Sequence, residues 1–356
     1  MKKKRISQER FQYYLQRVTE NGLDLMMVPR KDRTDDICII AVTQNGAALE
    51  FVPVKKQISL ICHTAVVQDG LALRHIINSE IISDKMYLAA VTQNGLALQY
   101  VPERKRTAEI YVTAIENDGL ALAFVPADLR TKALCIMAVS SNGEALQVID
   151  PAQYTELLFT LAVTNDGNVL HCIPVKMRTY ELCESAVKSS GLAIRSVPNS
   201  ITDEQLCTLA VQQNGLALKY IPEQFLTNDL CNTAVSQNGL ALPYVPEDYR
   251  TYDICLIAVK QNGEMLQIVP DEYHTYELYS AAVENNGLAL RFIPSMEIDT
   301  KMALQAVTSC GMALAFVPHN LRTNEICTAA VKQNGEAFGL VPIELRTNDL
   351  YQLSIS

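Results

Sequence analysis

The chain of 356 residues has no tryptophan, few aromatic residues and no apolar run near the ~18 residues that a membrane span requires. A membrane-spanning helix is therefore not expected, and the composition reads as soluble. Lys2, Lys3, Lys4 and Arg5 open the chain with no apolar segment behind them, so they predict a solvated end rather than a secretory signal. Positive charge is also scarce: 30 Lys and Arg face 39 Asp and Glu, for a net charge of -9. The first 60 residues carry 11 basic against 7 acidic side chains, so the acidic excess lies beyond them. Binding to a phosphate backbone depends on neutralisation by Lys and Arg, and this balance disfavours nucleic acid as a partner. CxxC, HExxH, GxSxG and Walker-type phosphate loops are all missing. No catalytic residues, metal or cofactor are expected, and the chain is not expected to be an enzyme.

What the sequence has in abundance is one phrase, "QNGLALQYVPE" and its variants. Its glycines stand at 22, 46, 70, 95, 119, 143, 167, 191, 215, 239, 263, 287, 311 and 335, always 24 residues apart except for one interval of 25. A fixed period of this kind marks a tandem array. The additional residue falls in Ile77–Ser83 and predicts a loop there. With glycine as position 0, proline recurs at +7, and Thr, Ser or Asp recurs at +12. The latter are helix N-cap residues, whose side-chain oxygen accepts from a free N–H of the first turn. Asp or Glu often follows at +14, where it favours the positive end of the helix dipole.

Apolar residues at +15, +16, +19 and +20, such as Ile254, Cys255, Ala258 and Val259, follow a helical spacing and not the alternation of a strand. The helix is expected to end at Asn-Gly or Asp-Gly, with glycine in the left-handed conformation that closes many helices. The Leu-Ala-Leu-x-aromatic stretch after it predicts a second, shorter helix of one or two turns stopped by the proline; a β-solenoid is the competing reading. The expected fold is all-α: an α-solenoid of about fourteen 24-residue two-helix repeats forming a superhelix. Residues 1–21 would cap its N-terminal end, 22–346 would carry the repeats, and 347–356 would form a C-terminal capping helix, all in a single array.

Eight of ten cysteines lie at +16, which marks them as small core residues rather than disulfide partners; free core thiols suit a reducing, cytoplasmic compartment. Polar residues at +22, among them Gln44, Gln68, Gln93 and Asn117, suggest either a side-chain hydrogen-bonding ladder between units or bonds to loop carbonyls. Arginines at +11, including Arg106, Arg130 and Arg178, have two readings: bonding to helix-end carbonyls or acidic caps, or a guanidinium stripe for an acidic partner. Specificity should reside where the pattern leaves freedom, chiefly at +4, +8, +9, +13, +17, +18 and +21. Candidate partner-binding residues are Arg106, Arg130, Arg178, Gln147, His171, Arg195 and Lys219. The units over 140–200 depart furthest from the consensus, and His171, Cys172 and Cys183 there are the nearest approach to a Cys/His cluster, explained by drift from Gln and Tyr.

The phrase "QNGLALQYVPE", with Arg-Thr-x-x-Ile/Leu-Cys-x-x-Ala-Val as at Arg250–Val259, resembles the repeat of domain of unknown function 4116. The resemblance covers nearly the whole chain. It implies tandem helical units of a kind seen in effector-like proteins of intracellular bacteria, hence delivery into a host cell, and brings no catalytic residues. The expected function is a non-catalytic scaffold that binds a protein partner along an extended face. The alternatives are a helical-repeat nucleic-acid binder, or an enzyme or regulator with a site around 140–200.

Overall fold

In a computed structural model of the chain, residues 7–355 are described. The basic start Lys2–Arg5 and the final Ser356 lie outside them. Among the described residues every regular element is a helix and none is a strand, so the β-solenoid reading is excluded. Fifteen α-helices alternate with six-residue and three-residue 3-10 helices. The chain divides into two compact units, one ending at Pro174 and the other beginning at Val175. Each is built from the same repeat.

A representative repeat runs from the 3-10 helix Gly239–Tyr244, through a 3-10 turn at Glu247–Tyr249, to the α-helix Tyr252–Gln261. The hydroxyl of Thr251 accepts from the N–H of Ile254 and caps that α-helix, as the pattern predicts. Its Ile254, Cys255, Ala258 and Val259 are all buried. The same four positions are buried in one helix after another, and Tyr111, Phe159 and Tyr279 take the cysteine's place in the core. All ten cysteines are free.

The short helix expected after each glycine is present as a 3-10 helix, with Ala and Leu at +2 and +3 buried along it, as at Ala241 and Leu242, while three other details differ from expectation. Three residues per turn suit such a short segment, because every third side chain then falls on one face. The Ile77–Ser83 segment contains a 3-10 turn, Ser79–Ile81, at the place where other units have theirs, so it is not wholly loop. Ser83 precedes its helix without making a side-chain cap.

The third difference concerns the glycines, none of which has a positive φ. In most repeats the α-helix ends on an asparagine or aspartate in extended conformation, and glycine opens the 3-10 helix instead of closing the α-helix with a left-handed turn. Asn238, for example, has φ -153 and its side chain accepts from the N–H of Leu240, capping the 3-10 helix. Glycine is required by proximity. A Cβ on Gly215 would lie 2.2 Å from the carbonyl oxygen of Ala234 in the following α-helix, and one on Gly119 would lie 2.0 Å from that of Ala138. Contacts this short are closed to any side chain.

The glycine N–H is held in the same place. Gln44 Oε1 accepts from Gly22 at 2.6 Å, and Gln261 Oε1 accepts from Gly239 at 2.6 Å. The amide nitrogen of the same side chain reaches back to the end of the preceding α-helix: Gln261 Nε2 donates to the Ser236 carbonyl at 2.8 Å. Asn165 and Asn285 make the equivalent bonds to Ser140 and Lys260. The +22 side chains thus bond backbone N–H and carbonyl groups of the neighbouring repeat, nearer the carbonyl reading than a side-chain ladder, and so join consecutive helices.

Candidate functional site

The arginines at +11 act as posts between successive 3-10 helices. Arg130 donates from Nε to the Val125 carbonyl at 2.9 Å, from one terminal nitrogen to Val148 at 2.6 Å and from the other to Ala123 at 3.3 Å. Arg106 bonds the carbonyls of Val101 and Phe124, and Arg178 bonds that of Ser196. In two of the repeats where arginine is replaced the task persists. The buried Gln57 donates to the His75 carbonyl and accepts from the N–H of Ile77, while His274 Nε2 bonds the Val269 carbonyl. Three different side chains serving backbone carbonyls at one position support the carbonyl-bonding reading of Arg106, Arg130 and Arg178. They do not form an outward stripe of free guanidinium groups.

The +4 residues behave differently. Gln147, His171, Arg195 and Lys219 are all exposed, each on a six-residue 3-10 helix. Lys219 Nζ lies 5.7 Å from the ring centroids of both Tyr220 and Tyr244, an arrangement that favours the cation over the aromatic faces. Tyr220, Tyr244 and Phe316, all at +5, are 37%, 38% and 40% exposed, so the aromatic positions of the second unit present part of each ring to solvent. Arg291 lies over Phe292 and also bonds Glu264 Oε1 at 2.9 Å.

In the first unit the structure brings Gln147 and His171 together around Cys172. Gln147 Nε2 is 3.4 Å from Cys172 Sγ, and His171 Nε2 is 3.3 Å from it. Cys183, grouped with these residues by sequence, is instead a buried core thiol of its own helix, Tyr180–Ser189. The adjacency of Gln147 and Cys172 was accessible from the period alone, since +4 of one repeat and +5 of the next are 25 residues apart.

The opposite side of each repeat presents α-helices. Most residues at +17 and +18 are half-buried between neighbouring helices, so these positions are less free than the pattern suggests. Shallow grooves lie between the helices. One, between Tyr180–Ser189 and Glu204–Gln213, is lined by Glu184, Lys188, Glu204, Thr208 and Gln212. Another, of about 240 Å³, is mainly apolar and lined by Cys135, Ile136, Leu157 and Leu158. Tyrosines at +13, which sequence reasoning did not single out, bridge consecutive helices: Tyr252 donates to Glu277 and Tyr276 to Asp299, both at 3.0 Å. Among the described residues no group of three or more His, Cys, Asp or Glu could hold a metal ion, and no helix is long and apolar enough to cross a membrane.

No curated protein and no solved structure matches the chain. A protein-family comparison matches the family described as Domain of unknown function (DUF4116) to residues 85–130, 179–226, 203–250, 227–274, 251–298, 275–322 and 299–346. From residue 179 onward successive matches overlap by about one 24-residue period, as a tandem array requires, and all the matches together span more than half of the chain. With its repeated helix, glycine contact and 3-10 corner, the chain belongs to the DUF4116 family.

Proposed function

We propose that this protein is a non-catalytic repeat scaffold that binds a protein partner, with specificity carried by the exposed +4 and +5 residues. One observation carries the reading: the repeated polar side chains at +11, +12, +22 and +23 are taken up by backbone groups, as Arg130, Thr251, Gln261 and Asn238 show. The exposed side chains that vary from unit to unit, such as Gln147, Arg195 and Lys219, face solvent, where a partner can reach them. Part-exposed aromatic rings beside cations suit a protein surface, where Tyr, Phe and Arg are enriched at contacts. Engagement of Arg106, Arg130 and Arg178 by carbonyls, together with the net charge of -9, counts against a phosphate backbone as the partner.

The test is site-specific photo-crosslinking in cells. A photoreactive residue placed at Gln147 or Lys219 should give a discrete protein adduct, while one placed at Thr208 on the helix side should not. Equal or absent adducts from both sides, or adducts to RNA, would remove this reading. The family resemblance makes a host-cell protein the first partner class to examine, and delivery is tested by following a tagged chain from bacteria into host cytosol. A second reading, a regulator with a site around 140–200, is favoured by the grouping of Gln147, His171 and Cys172.

A further inference from the structure

Cys172 differs chemically from the other nine cysteines. Eight lie at +16 in the core, where burial pushes their thiols up, those of Cys38, Cys62, Cys183, Cys207, Cys231 and Cys255 to about 11. Cys310 is partly exposed but occupies the asparagine position at the end of an α-helix. Cys172 is partly exposed and lies at the end of the 3-10 helix Gly167–Cys172, where most units have a bulky side chain.

Its surroundings supply a base, an orienting group and a hydrogen-bond donor. His171 Nδ1 is 2.7 Å from the Asn168 carbonyl oxygen. A carbonyl can only accept, so Nδ1 carries the proton and the Nε2 lone pair faces Cys172 Sγ at 3.3 Å. From the preceding repeat, Gln147 Nε2 donates to the same sulfur at 3.4 Å, an interaction that strengthens when the sulfur is charged. A nucleophile beside a base that a third group orients is the general arrangement of an activated thiol. Tyr154 and Asp150 are titratable groups close by. Burial raises the Tyr154 phenol above its ordinary range, with Cys172 and Asp150 adding to the effect, and the phenol donates to the Leu146 carbonyl at 3.1 Å.

We propose that Cys172 is a primed nucleophile and a site of modification by disulfides, with His171 as its base and Gln147 as the donor to its thiolate. In the step, His171 Nε2 takes the thiol proton and the Cys172 thiolate attacks one sulfur of the reagent. A new S–S bond forms at Cys172 as the reagent's own S–S bond breaks. The departing sulfur leaves as a thiolate, and the imidazolium gives its proton to that thiolate or, where the departing thiol is the stronger acid, as with an aromatic disulfide, to water. Cys172 is oxidised and the departing half of the reagent is reduced, with no further co-reactant.

The experiment treats the folded full chain with DTNB, an aromatic disulfide, near neutral pH, and maps the modified peptides by mass. One thiol should react in a fast phase and map to Cys172. Cys172→Ser should abolish that phase, and His171→Gln should slow it by about tenfold, since thiolate character governs the rate. A fast phase that maps to Cys310, or no fast phase, overturns the proposal. So does an unchanged rate in a folded His171→Gln variant. If that variant does not fold, the pH dependence of the unmodified chain decides. The Cys172 rate should hold a plateau below the ordinary thiol range, and a tenfold fall per pH unit, as for an unassisted thiol, overturns the proposal.

Discussion

A methyl group added at Gly215 would lie 2.2 Å from the Ala234 carbonyl oxygen, a backbone atom of a packed helix that cannot turn aside. Gly215→Ala should therefore cost about 1–3 kcal/mol, the range for overpacking a core, and lower the urea midpoint accordingly. Gly339 lies inside a 3-10 helix with nothing within 4 Å of an added Cβ, and Gly339→Ala should leave the midpoint unchanged or raise it slightly. Equal effects at the two positions would remove the close-contact account. The buried thiols give a second residue-scale prediction. Their folded values of about 11 lie above the ordinary 9.0, so the unfolded chain loses these protons first as pH rises. The stabilisation is complete below pH 9 and is lost as pH rises toward 11, so melting temperature should fall over that interval. Replacing Cys62 and Cys231 by alanine should make the fall shallower. At this scale the sequence revealed which positions are special without revealing why. Gly215 is marked by periodicity, but its reason is a carbonyl nineteen residues away, which no local turn rule contains.

The caps distinguish one element from another. Thr251 Oγ1 accepts from the Ile254 N–H, whereas Ser83 at the equivalent position, before the helix Asp84–Gln93, makes no such bond and the Met86 N–H donates to the Ser83 carbonyl at 2.9 Å instead. Thr251→Ala should cost ~1 kcal/mol, the usual value of an N-cap, and Ser83→Ala should cost almost nothing. Both are read from denaturation curves, and similar losses would show that Ser83 caps its helix in solution. The α-helices were legible because the caps and the +15, +16, +19, +20 spacing extend over ten residues, enough to separate a helix from a strand. The 3-10 character of Gly239–Tyr244 was not, since six residues with buried Ala241 and Leu242 fit either kind of helical turn. Of the candidate site, the +4 column was legible as exposed. The meeting of Gln147 with Cys172 was missed because Cys172 was set beside the +5 residues of other units and not beside the +4 residue of the unit before.

At the scale of the molecule, contacts are made between neighbouring repeats, and the hydrogen bonds obey the same rule. Gln261 joins Gly239 to Ser236, and Arg130 joins Val125 to Val148, spanning one repeat and no more. In an array of this kind stability is close to a sum of repeat and nearest-neighbour terms, so damage should stay near its origin. Gly119→Ala places a Cβ 2.0 Å from the Ala138 carbonyl oxygen and should open the contact between the 3-10 helix Gly119–Phe124 and the α-helix Lys132–Ser141. Hydrogen exchange should quicken in those two elements and in the adjoining helix Ala108–Asn117. The helix Asn324–Gln333, in the other compact unit, should keep its original rates. A uniform increase along the chain would mean that the repeats unfold as one cooperative body, and the additive description would then have to be abandoned. If exchange stays local, altering the +4 residues of one repeat can change what that repeat binds while its neighbours keep their structure, and this independence lets a single repeated phrase support many different surfaces.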